Sequence, residues 1–161
     1  MTPLCVAASR GNADSVKACA ELGADASIPA DGYASRHKVT ALHYAAEKNA
    51  EETCSYLVNV CKMNVNEQTS EGLTPLILTK SAAITSMLLA HGAKVSHLVN
   101  ADGNNLVRYN GDVPCIDILK LYLAHGGKKI VNVCSGPIKT SPLSRLCYTA
   151  SKMILKPQTC F

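Results

Sequence analysis

The sequence predicts an all-α solenoid, in which helix–turn–helix units stack on one another and are joined by short hairpin loops. A related block of residues returns about every 35 positions, and repeat periods of this size are typical of solenoids. The composition agrees: 47% of the 161 residues are hydrophobic, only 4% are aromatic and Trp is absent. Such a core must be built from Ala, Leu, Val and Ile, which suits closely stacked helices.

Five units can be aligned on one anchor position each. The anchors are Thr2, Thr40, Thr74, Asn105 and Ser141, at spacings of 38, 34, 31 and 36 residues. We expect a single domain over residues 1–161, with repeats at about 1–27, 28–66, 67–97, 98–133 and 134–161, the last of them truncated. Repeat arrays normally end in polar capping units. Neither end has one, which predicts a fragment of a larger protein.

Each unit carries signals for the start and the end of its helices. The anchor Thr is a favoured helix N-cap, and a Pro directly after it, as in Thr2-Pro3, loses no helical hydrogen bond. A second helix follows with apolar residues at helical spacing, as in residues 115–124. A glycine then stands where a left-handed residue commonly ends a helix. These glycines are Gly23, Gly92 and Gly126.

Two repeats depart from this pattern. The third is three residues short between Thr74 and Gly92, and counting inward from both ends places the gap after Lys80, on the turn between the helices. Because three residues are close to one helical turn, both apolar faces can keep their direction, so we expect a shortened rather than a broken repeat. In the fourth repeat, Asn110-Gly111 replaces the paired alanines of other repeats, which predicts a short or frayed first helix.

The anchored blocks resemble the ankyrin repeat, whose signature is Thr-Pro-Leu-His in a period of about 33 residues. Thr40-Ala41-Leu42-His43 is the block that carries the histidine, while Thr2-Pro3-Leu4 and Thr74-Pro75-Leu76 carry the first three positions. The resemblance covers nearly the whole chain. It implies structural hydrogen bonds for His43. It also implies non-catalytic protein–protein recognition through a concave face, formed by the hairpin tips and the exposed side of the first helices.

The resemblance also implies which residues bind a partner protein. The hairpin-tip positions are Lys38, Glu71, Leu73, Asp102, Asn104 and Lys139, and the first-helix positions are Ser9, Arg10, Glu47 and Lys48. The long first connection adds Tyr33, Arg36 and His37 next to Lys38, because Tyr and Arg frequently anchor protein interfaces. The alternative for this connection is a solvated, variable loop.

Several classes of protein are disfavoured by what the sequence lacks. It has no phosphate-binding or dinucleotide-binding glycine motif and no His-Glu-x-x-His, and its five His lack metal-ligand spacing, so we expect no enzyme, cofactor or metal. The net charge of +4 and the spread of basic residues argue against nucleic acid. The longest apolar stretches are far too short to insert in a membrane.

The cysteines and the N-terminus bear on the compartment. The eight Cys are irregularly spaced without a Cys-x-x-Cys, and no secretory signal is visible. Both observations favour a reducing, intracellular compartment, with the cytoplasm preferred and the nucleus as the alternative. We expect a monomer or a part of a larger chain.

Two other functions fit the sequence. Residues 141–147 resemble the start of a SOCS box, which recruits the ubiquitin-ligase adaptor elongin C, and the array would then select a ligase substrate. The motif requires an aliphatic residue four positions after Cys147, where this chain has Ser151, and its downstream proline-rich segment is missing. The same residues fit a fifth repeat equally well. The third possibility is a structural spacer within a larger multidomain protein.

Overall fold

The architecture is a row of helix pairs. The computed structural model describes residues 1–30, 37–98 and 116–126. The first pair is α1 (Pro3–Ser9) and α2 (Ala13–Glu21), the second is α3 (Ala41–Glu47) and α4 (Glu51–Asn59), and the third is α5 (Pro75–Leu78) and α6 (Ala82–Ala90). A 3-10 helix covers Val95–Leu98, and α7 covers Ile116–Ala124.

The helices form two layers with the core between them. The first helices α1, α3 and α5 pack side by side, and the second helices α2, α4, α6 and α7 form the other layer. Aliphatic side chains of both layers fill the core, and Ala7-Ala8 and Ala45-Ala46 are buried where α1 meets α3. In the described part of the chain the only β pairing is one bridge between Ala30 and Val39. The prediction of an all-α solenoid is confirmed.

The predicted helix ends are also found where the structure describes them. The hydroxyl of Thr2 accepts from the backbone N–H of Cys5 at 3.2 Å, which caps α1. Gly23, Gly92 and Gly126 have φ of 86°, 84° and 89°, the left-handed conformation that glycine adopts without steric cost. α7 covers Ile116–Ala124, within the predicted span 115–124, and residue 115 lies outside the described residues.

The gap in the third repeat lies on its first helix, so the prediction that it lies on the turn after Lys80 is wrong. α5 has four residues where α1 and α3 each have seven, whereas all three turns between paired helices have three residues. The repeat is nevertheless shortened and not broken, because α6 keeps the nine residues of α2 and α4. The missing residues remove just under one turn from the end of the first helix.

The neighbouring repeat supplies hydrogen bonds at the shortened helix. Asn49 lies in the turn of the second pair with a left-handed φ of 54°. Its side-chain oxygen accepts from the backbone N–H of Lys80 at 2.6 Å and from the hydroxyl of Thr79 at 3.2 Å. The hydroxyl of Ser81 donates to the carboxylate of Glu51 at 2.8 Å. Two residues of the second repeat therefore hold the turn that follows α5.

The remaining predictions about organisation fall on other parts of the chain. The first helix of the fourth repeat and the fifth repeat lie outside the described residues. The boundaries of the five repeats and the single domain over residues 1–161 stay predictions.

Asn49 provides a test of this inter-repeat contact. Asn49→Gly should lower the free energy of unfolding by about 1 kcal/mol, because it loses the amide that accepts from Lys80. Asn49→Ala should lower it by about 2–3 kcal/mol, because it adds a strained left-handed alanine. Urea unfolding followed by circular dichroism measures both, with Gln68→Ala at an exposed position as the control. Equal stability of Asn49→Ala and wild type would contradict the contact.

Candidate functional site

The hairpin loops of neighbouring repeats are hydrogen-bonded to each other. The backbone N–H of His37 donates to the hydroxyl of Ser70 at 3.0 Å, and the N–H of Ser70 donates to the carbonyl of His37 at 3.0 Å. The Ala30–Val39 bridge closes the base of the first of these loops. These hydrogen bonds fix the two loops relative to each other, and together the loops form a shared backbone frame.

The other part of the expected concave face is formed where the first helices end. Arg10 and Lys48 are the C-cap residues of α1 and α3, and both side chains are exposed. Glu47, the last residue of α3, is exposed as well. Lys80 follows the short α5 and is also exposed, which adds a residue that the sequence analysis did not select. The three-residue gap in the third repeat shifts Lys80 out of alignment with Arg10 and Lys48, so counting from the anchor Thr74 does not find it.

Most of the described candidates are accessible. Arg10, His37, Lys38, Glu47 and Lys48 are exposed, and Ser9 and Glu71 are half-buried. The hydroxyl of Ser9 donates to the carbonyl of Val6 at 2.8 Å, so it is engaged within its own helix.

Leu73 is a correction to the predicted hairpin-tip set, because only 1% of its surface is exposed. Its carbonyl accepts from the backbone N–H of Thr69 at 2.9 Å, which closes the hairpin and leaves the leucine side chain in the core. Val39 holds the same place before the previous anchor and is also buried. The aliphatic residue directly before Thr40 and directly before Thr74 was the available signal for a core position.

Other predicted binding residues cannot be placed. Tyr33, Arg36, Asp102, Asn104 and Lys139 lie outside the described residues, as does the SOCS-box-like segment at 141–147, and these assignments stay predictions.

His43 holds the hairpin of the third repeat against α3. Its Nδ1 lies 3.2 Å from the backbone N and 2.7 Å from the hydroxyl of Thr40. Its Nε2 lies 3.1 Å from the carbonyl oxygen of Glu67 and 3.0 Å from that of Leu73. Since carbonyls only accept, Nε2 carries the proton and Nδ1 accepts. Burial lowers the pKa of His43 to about 4, so the ring is neutral, and the predicted structural role is confirmed.

The other anchored repeats have different residues in the histidine position. In the first repeat it is Cys5, whose thiol lies 4.0 Å from the carbonyl of Val39, the residue that corresponds to Leu73. In the third repeat it is Ile77, which cannot hydrogen-bond, and the buried hydroxyl of Thr74 has no hydrogen-bond partner. The three repeats therefore share a fold, but the residue at the histidine position forms strong hydrogen bonds in the second repeat only.

Three further observations concern the cysteines, metal binding and membrane crossing in the described part of the chain. Burial raises the pKa of the Cys5 and Cys61 thiols and raises that of Cys54 to about 12, so all three are protonated and poor nucleophiles near neutral pH. Within residues 1–30, 37–98 and 116–126, no group of three or more His, Cys, Asp or Glu could hold a metal ion. In the same ranges, no helix has the length and apolar character needed to cross a membrane.

The stacked helix pairs and their connected hairpins define a helical-repeat protein. The family model described as ankyrin repeats (3 copies) matches residues 1–67, so that part of the chain is similar to ankyrin repeats. The structure continues the same helix pairs through Ala90. No curated protein matches the chain. Ankyrin repeats generally mediate protein–protein interactions and are typically not enzymes.

His43 makes the stability of the protein depend on pH. The unfolded chain binds a proton at this histidine below about pH 6.5, whereas the folded chain does so only below about pH 4. Its contribution is therefore complete above about pH 6.5 and falls by about 1.4 kcal/mol per pH unit as the pH is lowered towards 4. Urea unfolding between pH 7.5 and 4.5 measures the slope.

The matched variant for this measurement is His43→Gln, which keeps every other titratable group. It should show a smaller loss of stability with falling pH than wild type does. Parallel curves for the two proteins would assign the pH dependence to other residues.

Proposed function

We propose that this chain is a non-catalytic protein-binding module, and that a partner protein binds the concave face. The observation that supports this most is the direct hydrogen bonding between the loops of successive repeats, between His37 and Ser70. The backbone of loops that are already fixed to each other loses little conformational freedom on binding, which favours affinity. The frame is itself held by the buried His43 contacts with the next repeat.

The charges on this face indicate the kind of partner surface it fits. Four exposed cationic side chains lie on its described part, against two carboxylates. The cations are Arg10, Lys38, Lys48 and Lys80, and the carboxylates are Glu47 and Glu71. We infer that the partner presents a net acidic surface, since charge complementarity guides association and selects partners. The predicted contribution of Tyr33 and Arg36 would extend the same face.

The compartment is part of the proposal. Cys5, Cys19, Cys54 and Cys61 are free thiols in the structure. Free cysteines persist in reducing compartments, which supports an intracellular, cytoplasmic protein.

Charge reversal at the first-helix ends tests the concave face. Arg10→Glu/Lys48→Glu should reduce recovery of a specific partner from a cell lysate by about tenfold or more, since two cations become anions. Capture with the full chain and quantitative mass spectrometry measures the recovery.

The matched control is Lys94→Glu/Lys120→Glu, which makes the same charge change at exposed positions outside the proposed face. Circular dichroism should show all variants folded. Equal loss in both double variants would contradict a concave-face site. The absence of any partner enriched by wild type would favour the spacer alternative.

A further inference from the structure

A groove lies between the first and second repeats, where the second helices α2 and α4 end. It has a volume of about 630 Å³. Ala24, Tyr56, Val60 and Met63 provide apolar surface, and Glu21 and Glu67 are exposed carboxylates on its border. It does not include the first-helix ends that carry Arg10 and Lys48. The groove is therefore a separate surface from the one proposed above.

The corresponding place between the second and third repeats is bridged by hydrogen bonds. His91 Nε2 and the side-chain oxygen of Asn59 are 3.0 Å apart. The side-chain amide of Asn66 donates to the carbonyl of Gly92 at 2.9 Å and accepts from the backbone N–H of Lys94 at 2.8 Å. Three side chains, those of Asn59, Asn66 and His91, thus connect the helix ends and loops of these repeats.

The groove is open because the first junction has other residues at those positions. Glu21 corresponds to Asn59 and Val60 to His91, and a valine side chain cannot hydrogen-bond a carboxylate. Ser27 corresponds to Asn66, but its hydroxyl donates to Asp25 of its own turn at 2.7 Å. Val60 is left 61% exposed at the helix end.

A smaller residue adds to the space. Val65, in the second repeat, is buried, whereas its counterpart Ala26 in the first repeat is only partly buried and lines the groove. The shorter side chain fills less of the junction. The groove therefore follows from particular residues of this junction and not from a feature common to the repeats.

We propose that this groove binds a peptide segment of a partner protein in which apolar side chains are flanked by Lys or Arg. Three carboxylates line the groove, those of Glu21, Asp25 and Glu67, against the single ammonium group of Lys62. Helices α2 and α4 both end here, and helix C-termini carry partial negative charge. The apolar surface and the volume fall within the range of protein ligand sites. The proposal does not rest on the function proposed for the concave face.

The probe for the test is a fluorescent twelve-residue peptide of alternating leucine and lysine, and the protein is the full chain. Fluorescence anisotropy should show binding of this probe. Replacing its lysines by glutamate, or its leucines by serine, should weaken binding about tenfold or more, because one change removes charge complementarity and the other removes apolar contact. Absence of binding by the leucine–lysine probe up to about 1 mM would overturn the proposal.

Charge-neutral variants locate the site. Glu21→Gln/Glu67→Gln should weaken binding about fivefold or more, since it removes two of the three carboxylates. Asp14→Asn/Asp117→Asn removes the same charge at exposed positions outside the groove and should leave affinity within about twofold. An equal loss in both double variants would mean that the probe follows net charge, and would overturn the groove as its site.

A third variant closes the groove with residues of the next junction. Glu21→Asn/Ser27→Asn/Val60→His should abolish probe binding, while the urea midpoint stays equal to that of wild type or rises. Wild-type affinity in this variant, with circular dichroism showing it folded, would overturn the proposal. Val60→Ser removes only the apolar contact between the groove and the probe, and it replaces the triple variant in this test if the triple variant does not fold. It should weaken binding about threefold or more, and unchanged affinity would count against the groove.

Discussion

The hydrogen bonds of His43 are the contact on which the arrangement of the second and third repeats depends. Buried carbonyls must find donors, and one neutral imidazole serves those of Glu67 and Leu73 while accepting from Thr40. Displacement of the third hairpin would break both contacts with the ring and leave the buried imidazole N–H without an acceptor. The positions of Ser70 and Glu71 at that hairpin, and hence the outline of the proposed concave face, follow from this ring.

The junctions between repeats are not equivalent, and this inequality matters because the stability of a repeat array is approximately a sum over neighbouring interfaces. The second junction has the contacts of His43, Asn49 and Asn66. The first has the long thiol contact of Cys5 and an ion pair between Lys17 and Glu52 on the surface. Exposed ion pairs contribute little. The open groove lies at the junction with fewer connecting hydrogen bonds.

Local chemistry explains what the sequence could predict. The Thr anchors and the glycines at 23, 92 and 126 were assigned correctly, because caps and left-handed residues depend on a few neighbouring atoms. These features need no knowledge of other repeats.

Contacts between repeats explain what the sequence could not predict. The number of residues from Thr74 to Gly92 gives the size of the gap in the third repeat, but it does not show whether the gap lies on a helix or on the turn. Its place is supported by Asn49, whose side chain accepts from Lys80 across 31 positions of sequence. Leu73 was misplaced for a different reason. It was assigned from the position of hairpin tips in the family, whereas Leu73 and Val39 are both buried, so the residue before Thr74 and the residue before Thr40 belong to the core.

The two junctions differ through residues at the helix ends and in the loops that follow them, and not through the lengths of their helices. Asn66 has an amide long enough to reach two backbone groups of the next repeat, whereas the hydroxyl of Ser27 is held within its own turn by Asp25. Because α2, α4 and α6 have the same length, a change at such a loop position opens or closes a junction without altering the layers. A repeat array can thus acquire a binding surface at the ends of its second helices while its core remains intact.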